Sequence, residues 1–185
     1  EQNTQAEAFE QIEYAKNAGI NFIDTAEMYP VPPKAETYAS TERYIGNWFK
    51  ERGDRADWIL ASKIAGPGNG IDYIRDGNLK HNRTHIVQAL DASLKRLQTD
   101  WIDLYQLHWP ERSTNFFGQL GYKHNADEDF TPLEDTLEAL DEQVKAGKIR
   151  HIGLSNETPW ATMKFLQLAE SRGWPRAVSI QNPYN

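Results

Sequence analysis

Two kinds of apolar pattern alternate along the chain. Segments with an apolar residue every three or four positions predict helices, and each is followed by a short, continuous apolar run that predicts a buried strand. The helices are expected between Thr4 and Gly19, about Ser40 and Glu51, Asn82 and Leu97, Thr131 and Gly147, and Thr158 and Gly173. The strands are expected at 20–24, 58–63, 102–109, 151–156 and 177–181.

Capping residues mark several of these boundaries. Thr4 and Glu7 form a capping box at the start of the first helix. Thr131, Pro132 and Glu134 combine an N-cap, a first-turn proline and a capping-box acid before the fourth helix. The glycines at 19, 53, 147 and 173 are placed to end helices.

Helices that alternate with strands in this way favour a parallel sheet with crossover helices. Each strand ends in polar side chains with chemical capability, which are Asp24, Lys63, His108, Ser155 with Asn156, and Gln181. In an open sheet these ends would be spread over tens of ångströms, because neighbouring strands lie about 4.8 Å apart. In a TIM barrel they converge on one pocket. The pattern therefore favours a partial TIM (β/α)8 barrel of about five parallel strands with five helices, with an open doubly wound sheet as the alternative.

Composition narrows the classes of function. The 185 residues carry a formal net charge of −7 and form no basic run, which argues against a nucleic-acid or anionic-membrane partner. The chain has no cysteine, and no apolar run approaches the roughly 20 residues of a membrane helix. We therefore expect a cytoplasmic protein. The histidines at 81, 85 and 124 are predicted to be surface residues, and their spacing suggests no metal site.

The strand-end residues suggest proton donation to a carbonyl group. A phenol has a pKa of about 10, and a nearby ammonium lowers that pKa by stabilising the phenolate. Tyr29 could therefore act as an acid beside Lys63, with Asp24 keeping the lysine charged and oriented. His108 could orient the carbonyl oxygen or shuttle the proton. Since no side chain donates hydride, reduction would require a nicotinamide cofactor.

Amide groups near the last two strand ends suit such a cofactor. Asn156 and Gln181 carry amides that could bind a carboxamide, and Ser155 adds a hydroxyl. Plain structural roles stay open: Ser155 and Asn156 could cap the following helix, Asp24 could be a simple ion-pair partner, and His108 could be a hydrogen-bonded core residue.

Two long loops complete the candidate site. In the loop from Pro110 to Phe130 and just before it, Trp109, Phe116 and Phe117 could line an apolar substrate pocket or plug the barrel mouth. The Gly66–Gly70 segment lacks the Lys-Ser/Thr of a phosphate-binding loop, so we interpret it as a flexible loop.

Five stretches of the sequence carry a family pattern: INFIDTAEMYP, ILASKIAGP, SLKRLQTDWIDLYQLHWPERSTNFFGQLGY, KIRHIGLSNE and SIQNPYN. Their order and spacing resemble those of the aldo-keto reductases, most closely the Tas-like branch. The resemblance implies a (β/α)8 barrel, NADPH as cofactor, and a catalytic tetrad of Asp24, Tyr29, Lys63 and His108. It also implies that the nicotinamide carboxamide is bound by Ser155, Asn156 and Gln181.

On this resemblance, residues 1–185 form a single aldo-keto reductase domain that is incomplete at both ends. The first barrel strand and the last two strand–helix units are expected to be missing. The expected function is NADPH-dependent reduction of a small aldehyde or ketone, with Tyr29 as general acid. Two alternatives stay open: a Schiff-base lyase with Lys63 as the amine nucleophile, and a non-catalytic regulatory or scaffold member of the fold.

Overall fold

Helix and strand alternate five times in the computed structural model, which describes residues 3–117 and 120–184. The helices are α1 (Gln5–Asn17), α2 (Ser40–Arg52), α3 (Arg83–Leu97), α4 (Leu133–Lys145) and α5 (Pro159–Arg172). The strands are β1 (Phe22–Asp24), β2 (Ile59–Ile64), β3 (Ile102–Leu107), β4 (Ile149–Ser155) and β5 (Ala177–Gln181). The predicted order of elements is confirmed.

Local capping explains where three of the helices begin. The Thr4 hydroxyl accepts the Glu7 N–H at 3.3 Å, and the Glu7 carboxylate accepts the Thr4 N–H at 2.7 Å, which completes the predicted capping box of α1. Asn82 accepts the His85 N–H at 2.9 Å before α3, and Thr158 caps α5. Such caps satisfy N–H groups that have no partner inside the helix.

The predicted cap of α4 is wrong. The N-cap residue is Pro132, which makes no side-chain cap hydrogen bond. Thr131 instead donates both its N–H, at 2.8 Å, and its hydroxyl, at 3.2 Å, to one oxygen of Glu111. Thr131 therefore binds the Glu111 carboxylate in place of capping α4, the role that the local sequence pattern predicts.

The five strands form one parallel sheet in the order β1-β2-β3-β4-β5. A strictly sequential order is that of a barrel, whereas the order reverses at one point in a doubly wound sheet. β4 begins two residues before the predicted His151, because Ile149 already pairs with Ile102 of β3. The structure is therefore a half-barrel, and its register aligns the carboxyl ends of all five strands at one edge.

Two apolar clusters stabilise this arrangement. The larger lies between the sheet and the helices, and its largest members include Trp48, Leu60, Leu90, Ile102, Tyr105 and Leu137. The smaller lies at the carboxyl edge, and we call it the loop cluster; its buried members are Ala26, Met28, Ala65, Ile71, Ile74, Leu79 and Trp109. The loop cluster packs residues 66–81 onto the candidate site.

Candidate active site

An ion pair between neighbouring strands forms the centre of the site. Asp24 ends β1 and Lys63 lies near the end of β2, and the lysine Nζ donates to Asp24 Oδ2 at 2.6 Å. Lys63 Nζ also donates to the carbonyl oxygen of Thr25 at 2.9 Å. The Lys63 side chain is only 1% exposed, whereas that of Asp24 is 31% exposed. A buried ammonium needs such partners, because an unpaired buried charge is costly.

Tyr29 and His108 lie against this pair. The Lys63 Nζ is 5.3 Å from the centroid of the Tyr29 ring, and the Tyr29 and His108 ring centroids are 5.5 Å apart in an edge-to-face arrangement. Within the described residues, the Tyr29 hydroxyl makes no hydrogen bond. The structure thus brings together four side chains that lie up to 84 positions apart, and it leaves the phenol group unengaged.

Burial shifts the pKa of three of these groups. It lowers the pKa of the Lys63 ammonium, although the hydrogen bond from Lys63 to Asp24 opposes that shift. Burial, and then the negative charge of Asp24, raises the pKa of the Tyr29 phenol; the opposite direction was expected from the neighbouring lysine. Burial, and then the charge of Lys63, lowers the pKa of His108 to about 3, so that its imidazole is neutral near pH 7.

Gln106 is a site residue that sequence reasoning missed. It pairs in register with Lys63, and its Nε2 donates to Asp24 Oδ1 at 3.1 Å. Both oxygens of Asp24 are therefore engaged on the protein side. The available signal was an amide side chain between the apolar Tyr105 and Leu107 near the carboxyl end of a predicted buried strand.

The three amide and hydroxyl residues lie beside the tetrad. Ser155 ends β4 and donates to the carbonyl oxygen of Gln181 at 3.0 Å. Asn156 follows with a left-handed φ of 53°, and its Nδ2 donates to the carbonyl oxygen of His108 at 2.9 Å. Since Thr158 caps α5, neither Ser155 nor Asn156 serves as the helix cap.

The acceptor oxygens of Asn156 and Gln181 fit a carboxamide. The Gln181 Nε2 donates to Asp24 Oδ2 at 3.4 Å, but the side-chain oxygens of Asn156 and Gln181 accept no hydrogen bond from residues 3–117 or 120–184. A carboxamide NH₂ group offers two N–H donors for two such acceptors. The residues present are therefore chemically suited to a nicotinamide.

The three aromatic candidates are placed differently from one another. Trp109 is buried in the loop cluster, with its ring centroid 4.8 Å from that of His108. Phe116 packs at the margin of the same cluster, and Phe117 is 63% exposed with its ring 5.4 Å from Trp109. Trp109 therefore forms a fixed wall beside His108, and Phe117 extends that wall toward solvent.

Trp109 also fixes the glycine-rich loop. Its indole N–H donates to the carbonyl oxygen of Pro67 at 2.8 Å. A Cβ on Gly66 would lie 2.7 Å from the indole nitrogen, so this position has no room for a side chain. The interpretation of Gly66–Gly70 as a flexible loop is wrong at its first residues, because Gly66 is packed against the tryptophan.

His81 is the other residue whose environment differs from the prediction. It is 3% exposed rather than on the surface, and its backbone N–H donates to Glu111 at 2.6 Å. Burial, and then the charge of Arg75, lowers the pKa of His81 to about 3. Glu111 therefore ties the loop before α3 and the start of α4 to the segment after β3.

Comparison with known proteins assigns the family. The sequence profile of the aldo/keto reductase family matches residues 1–185. The chain belongs to the aldo/keto reductase family. It is 51% identical over all 185 residues to Protein tas of Escherichia coli (strain K12), of which it covers 54%, and 36% identical over 179 residues to Aldo-keto reductase YhdN of Bacillus subtilis (strain 168), of which it covers 44%.

A solved structure places this aldo/keto reductase chain in the same fold. The thermostable aldo-keto reductase Tm1743, solved with the inhibitor epalrestat, matches with a TM-score of 0.68 and 31% identity over 100% of this chain and 53% of that one. The predicted partial (β/α)8 barrel is confirmed. The chain spans about half the length of the relatives that it matches.

Within residues 3–117 and 120–184 of this aldo/keto reductase chain, no helix is both long enough and apolar enough to span a membrane. The same residues contain no group of three or more His, Cys, Asp or Glu side chains arranged to hold a metal ion.

Proposed function

We propose that the intact protein is an NADPH-dependent oxidoreductase that reduces a small aldehyde or ketone to an alcohol, with Tyr29 as general acid. One observation carries the proposal: at the carboxyl edge of the half-barrel, a phenol that makes no hydrogen bond to the described residues lies between a neutral His108 and the buried Lys63, which is paired with Asp24. Membership of the aldo/keto reductase family supports the same reaction class.

The chain's own residues account for the proton half of this reaction. As hydride reaches the carbonyl carbon, the Tyr29 O–H bond breaks and its proton passes to the carbonyl oxygen. The phenolate that forms is stabilised by the Lys63 ammonium, 5.3 Å from the ring centroid, which Asp24 holds in place. His108, with a pKa of about 3, stays neutral and can bind the carbonyl oxygen without supplying a proton of its own.

A bound nicotinamide would supply the hydride. Its carboxamide suits Ser155, Asn156 and Gln181, whose polar groups adjoin Asp24 and His108. Trp109 beside His108 then bounds the space for the substrate, and Phe117 extends this apolar surface.

The buried position of Lys63 argues against the lyase alternative. A Schiff base requires a free amine that can reach a carbonyl carbon. Here the amine is 1% exposed and donates to both Asp24 and the Thr25 carbonyl oxygen. Borohydride trapping with a carbonyl compound distinguishes the two reactions, since a stable adduct at Lys63 would favour the lyase.

Tyr29→Phe in the intact protein tests the assignment of the acid. The change removes only the hydroxyl, so we expect kcat for carbonyl reduction to fall by about 10²–10⁴-fold, the usual contribution of a general acid. The Kd for NADPH, measured by the change in cofactor fluorescence, should stay within about twofold because the carboxamide residues are untouched. Tyr14→Phe, on a tyrosine that is 78% exposed, is the matched control and should leave kcat unchanged.

Unchanged turnover in Tyr29→Phe would exclude Tyr29 as the acid. A wild-type protein that reduces no aldehyde or ketone at saturating NADPH would instead favour a non-catalytic member of the fold.

A further inference from the structure

A second buried ion pair lies beside the site and takes no part in the chemistry described above. Glu27, which lies between Asp24 and Tyr29 in the sequence, is fully buried. Its carboxylate accepts hydrogen bonds from both terminal nitrogens of Arg75, at 2.6 and 2.9 Å. The same carboxylate accepts the Ala65 N–H at 2.6 Å. Arg75 also donates to the Ala65 carbonyl oxygen at 3.2 Å. The pair therefore joins residues 66–81 to the segment that carries the tyrosine.

The backbone at Arg75 and Asp76 is in a conformation that costs conformational free energy. Arg75 and Asp76 both have left-handed φ angles, of 44° and 54°, which are unfavourable for residues with a side chain. Such conformations persist only where surrounding contacts fix them. The two-pronged contact with Glu27 supplies that constraint, because a planar guanidinium matches a carboxylate in one orientation.

Glu27 in turn is tied to the catalytic strands. Its N–H donates to the carbonyl oxygen of Lys63 at 3.1 Å, so the pairing of β1 with β2 continues past Asp24. The next residue, Met28, is buried in the loop cluster with Ile71, Ile74 and Leu79, and the Tyr29 ring packs at the margin of that cluster. The surface on which the Tyr29 ring lies is thus partly built by residues that Arg75 holds in place.

We infer that the Glu27–Arg75 pair positions Tyr29 for proton donation, by fixing residues 71–79 against the tyrosine-bearing segment. This inference rests on the proposed function. Glu27 and Arg75 are positioning residues: their charged groups bond to each other and to Ala65, and they act on the reaction through the placement of the phenol. A displacement of about 1 Å in a reacting group is enough to cost about 10²-fold in rate.

The test separates positioning from mere stability with two variants of the intact protein. Glu27→Leu combined with Arg75→Met removes both charges, which avoids leaving either one buried and unpaired. Arg75→Lys keeps the charge but loses the two-pronged geometry. In both we expect kcat to fall by about 10–100-fold, with the Kd for NADPH within about twofold of wild type.

The solvent isotope effect on kcat gives the decisive measurement. A misplaced phenol makes proton transfer slower, so the ratio of rates in H₂O and D₂O should rise above that of the wild type in both variants. Arg55→Lys, in a buried ion pair with Asp103 away from Tyr29, is the matched control: it should lower the melting temperature but leave kcat and the isotope effect unchanged.

Wild-type kcat and isotope effect in either folded variant would overturn the inference and leave the pair a structural one. Failure of the proposed function would give a different result. Tyr29→Phe would then have the turnover of the wild type, independently of the results for the Glu27 and Arg75 variants.

Discussion

The two ends of the sheet both bury ion pairs, but they differ in whether acid–base side chains beside those pairs lack partners. At the amino end, Asp103 of β3 accepts Arg55 at 2.7 Å and the Leu60 N–H at 3.0 Å on one oxygen, and Arg150 at 2.6 Å on the other. Arg55 also donates from its remaining nitrogens to Thr99 and to the Trp58 carbonyl oxygen. Every charged group of this Arg55–Asp103–Arg150 cluster is satisfied.

The carboxyl end leaves polar atoms without partners. The Tyr29 hydroxyl makes no hydrogen bond within the described residues, and the buried Nδ1 of His108 and Nε2 of His81 have none either. Buried polar groups are nearly always paired in folded proteins, so unpaired ones call for an explanation. The paired charges of the Arg55–Asp103–Arg150 cluster stabilise the strands, whereas the unpaired phenol and imidazole groups at the carboxyl end, which can donate or accept a proton, are available for a ligand or a reaction.

Among the variants that test this comparison between the two ends, Lys63→Met should give the largest effect, and it should act on activity rather than on folding. The variant removes the charge that stabilises the phenolate, so we expect kcat to fall by about 10²–10³-fold. Asp24 is 31% exposed and keeps its hydrogen bonds from Gln106 and Gln181, so the melting temperature should change little. A variant that unfolds, or one that keeps full turnover, would show that Lys63 belongs with the structural charges.

Asp103→Ala should lower the stability of the fold and leave the activity unchanged. It leaves the buried Arg55 guanidinium and the Leu60 N–H without their acceptor, at a cost of about 3–5 kcal/mol in the free energy of unfolding. Turnover per folded molecule should be unchanged. The control is Asp91→Ala, which breaks the exposed pair with Lys148 and should cost at most about 1 kcal/mol in denaturant titrations. Equal losses in the two variants would contradict the comparison.

A smaller effect, of about 2 kcal/mol for each histidine at pH 5, is expected from pH. The pKa of His81 and that of His108 are each lowered to about 3 by burial, against about 6.5 in an unfolded chain. The unfolded chain therefore binds more protons between these values, so stability is fully present above pH 6.5 and is lost as the pH falls toward 3. Each histidine contributes a slope of about 1.4 kcal/mol per pH unit.

His81→Gln separates the two contributions, because glutamine does not titrate. The free energy of unfolding, measured by denaturant titration at pH 7.5, 6 and 5, should fall with a slope that is smaller by about one proton in the variant. An unchanged slope would mean that His81 is already free to take up a proton in the folded protein.

The sequence was most informative where structure depends on near neighbours. Periodicity and capping predicted all five helices and strands, and the polar strand ends predicted the convergence of Asp24, Lys63 and His108, because parallel strands share one carboxyl edge. The alternation of elements could not by itself choose a barrel over an open sheet. The polar strand ends favoured the barrel, and the sequential strand order confirms it.

Long-range partners could not be predicted from local pattern. Glu27 meets Arg75 at a separation of 48 residues, and Gln106 meets Asp24 at 82. The local sequence around Thr131 is typical of a helix cap, but its hydroxyl donates to Glu111 in another part of the chain. The burial of His81 likewise depends on how two irregular loops pack together, which no periodicity encodes.

The raised pKa of Tyr29 has a consequence for the direction of the proposed reaction. Because burial raises the pKa of the Tyr29 phenol, the phenol keeps its hydrogen near neutral pH, and the proton is in place before any carbonyl compound binds. Alcohol oxidation would have to start from the tyrosinate, which is scarce under those conditions. In the proposed reaction, the burial of the tyrosine therefore favours the rate of carbonyl reduction near neutral pH, and the rate of alcohol oxidation should rise in alkaline solution.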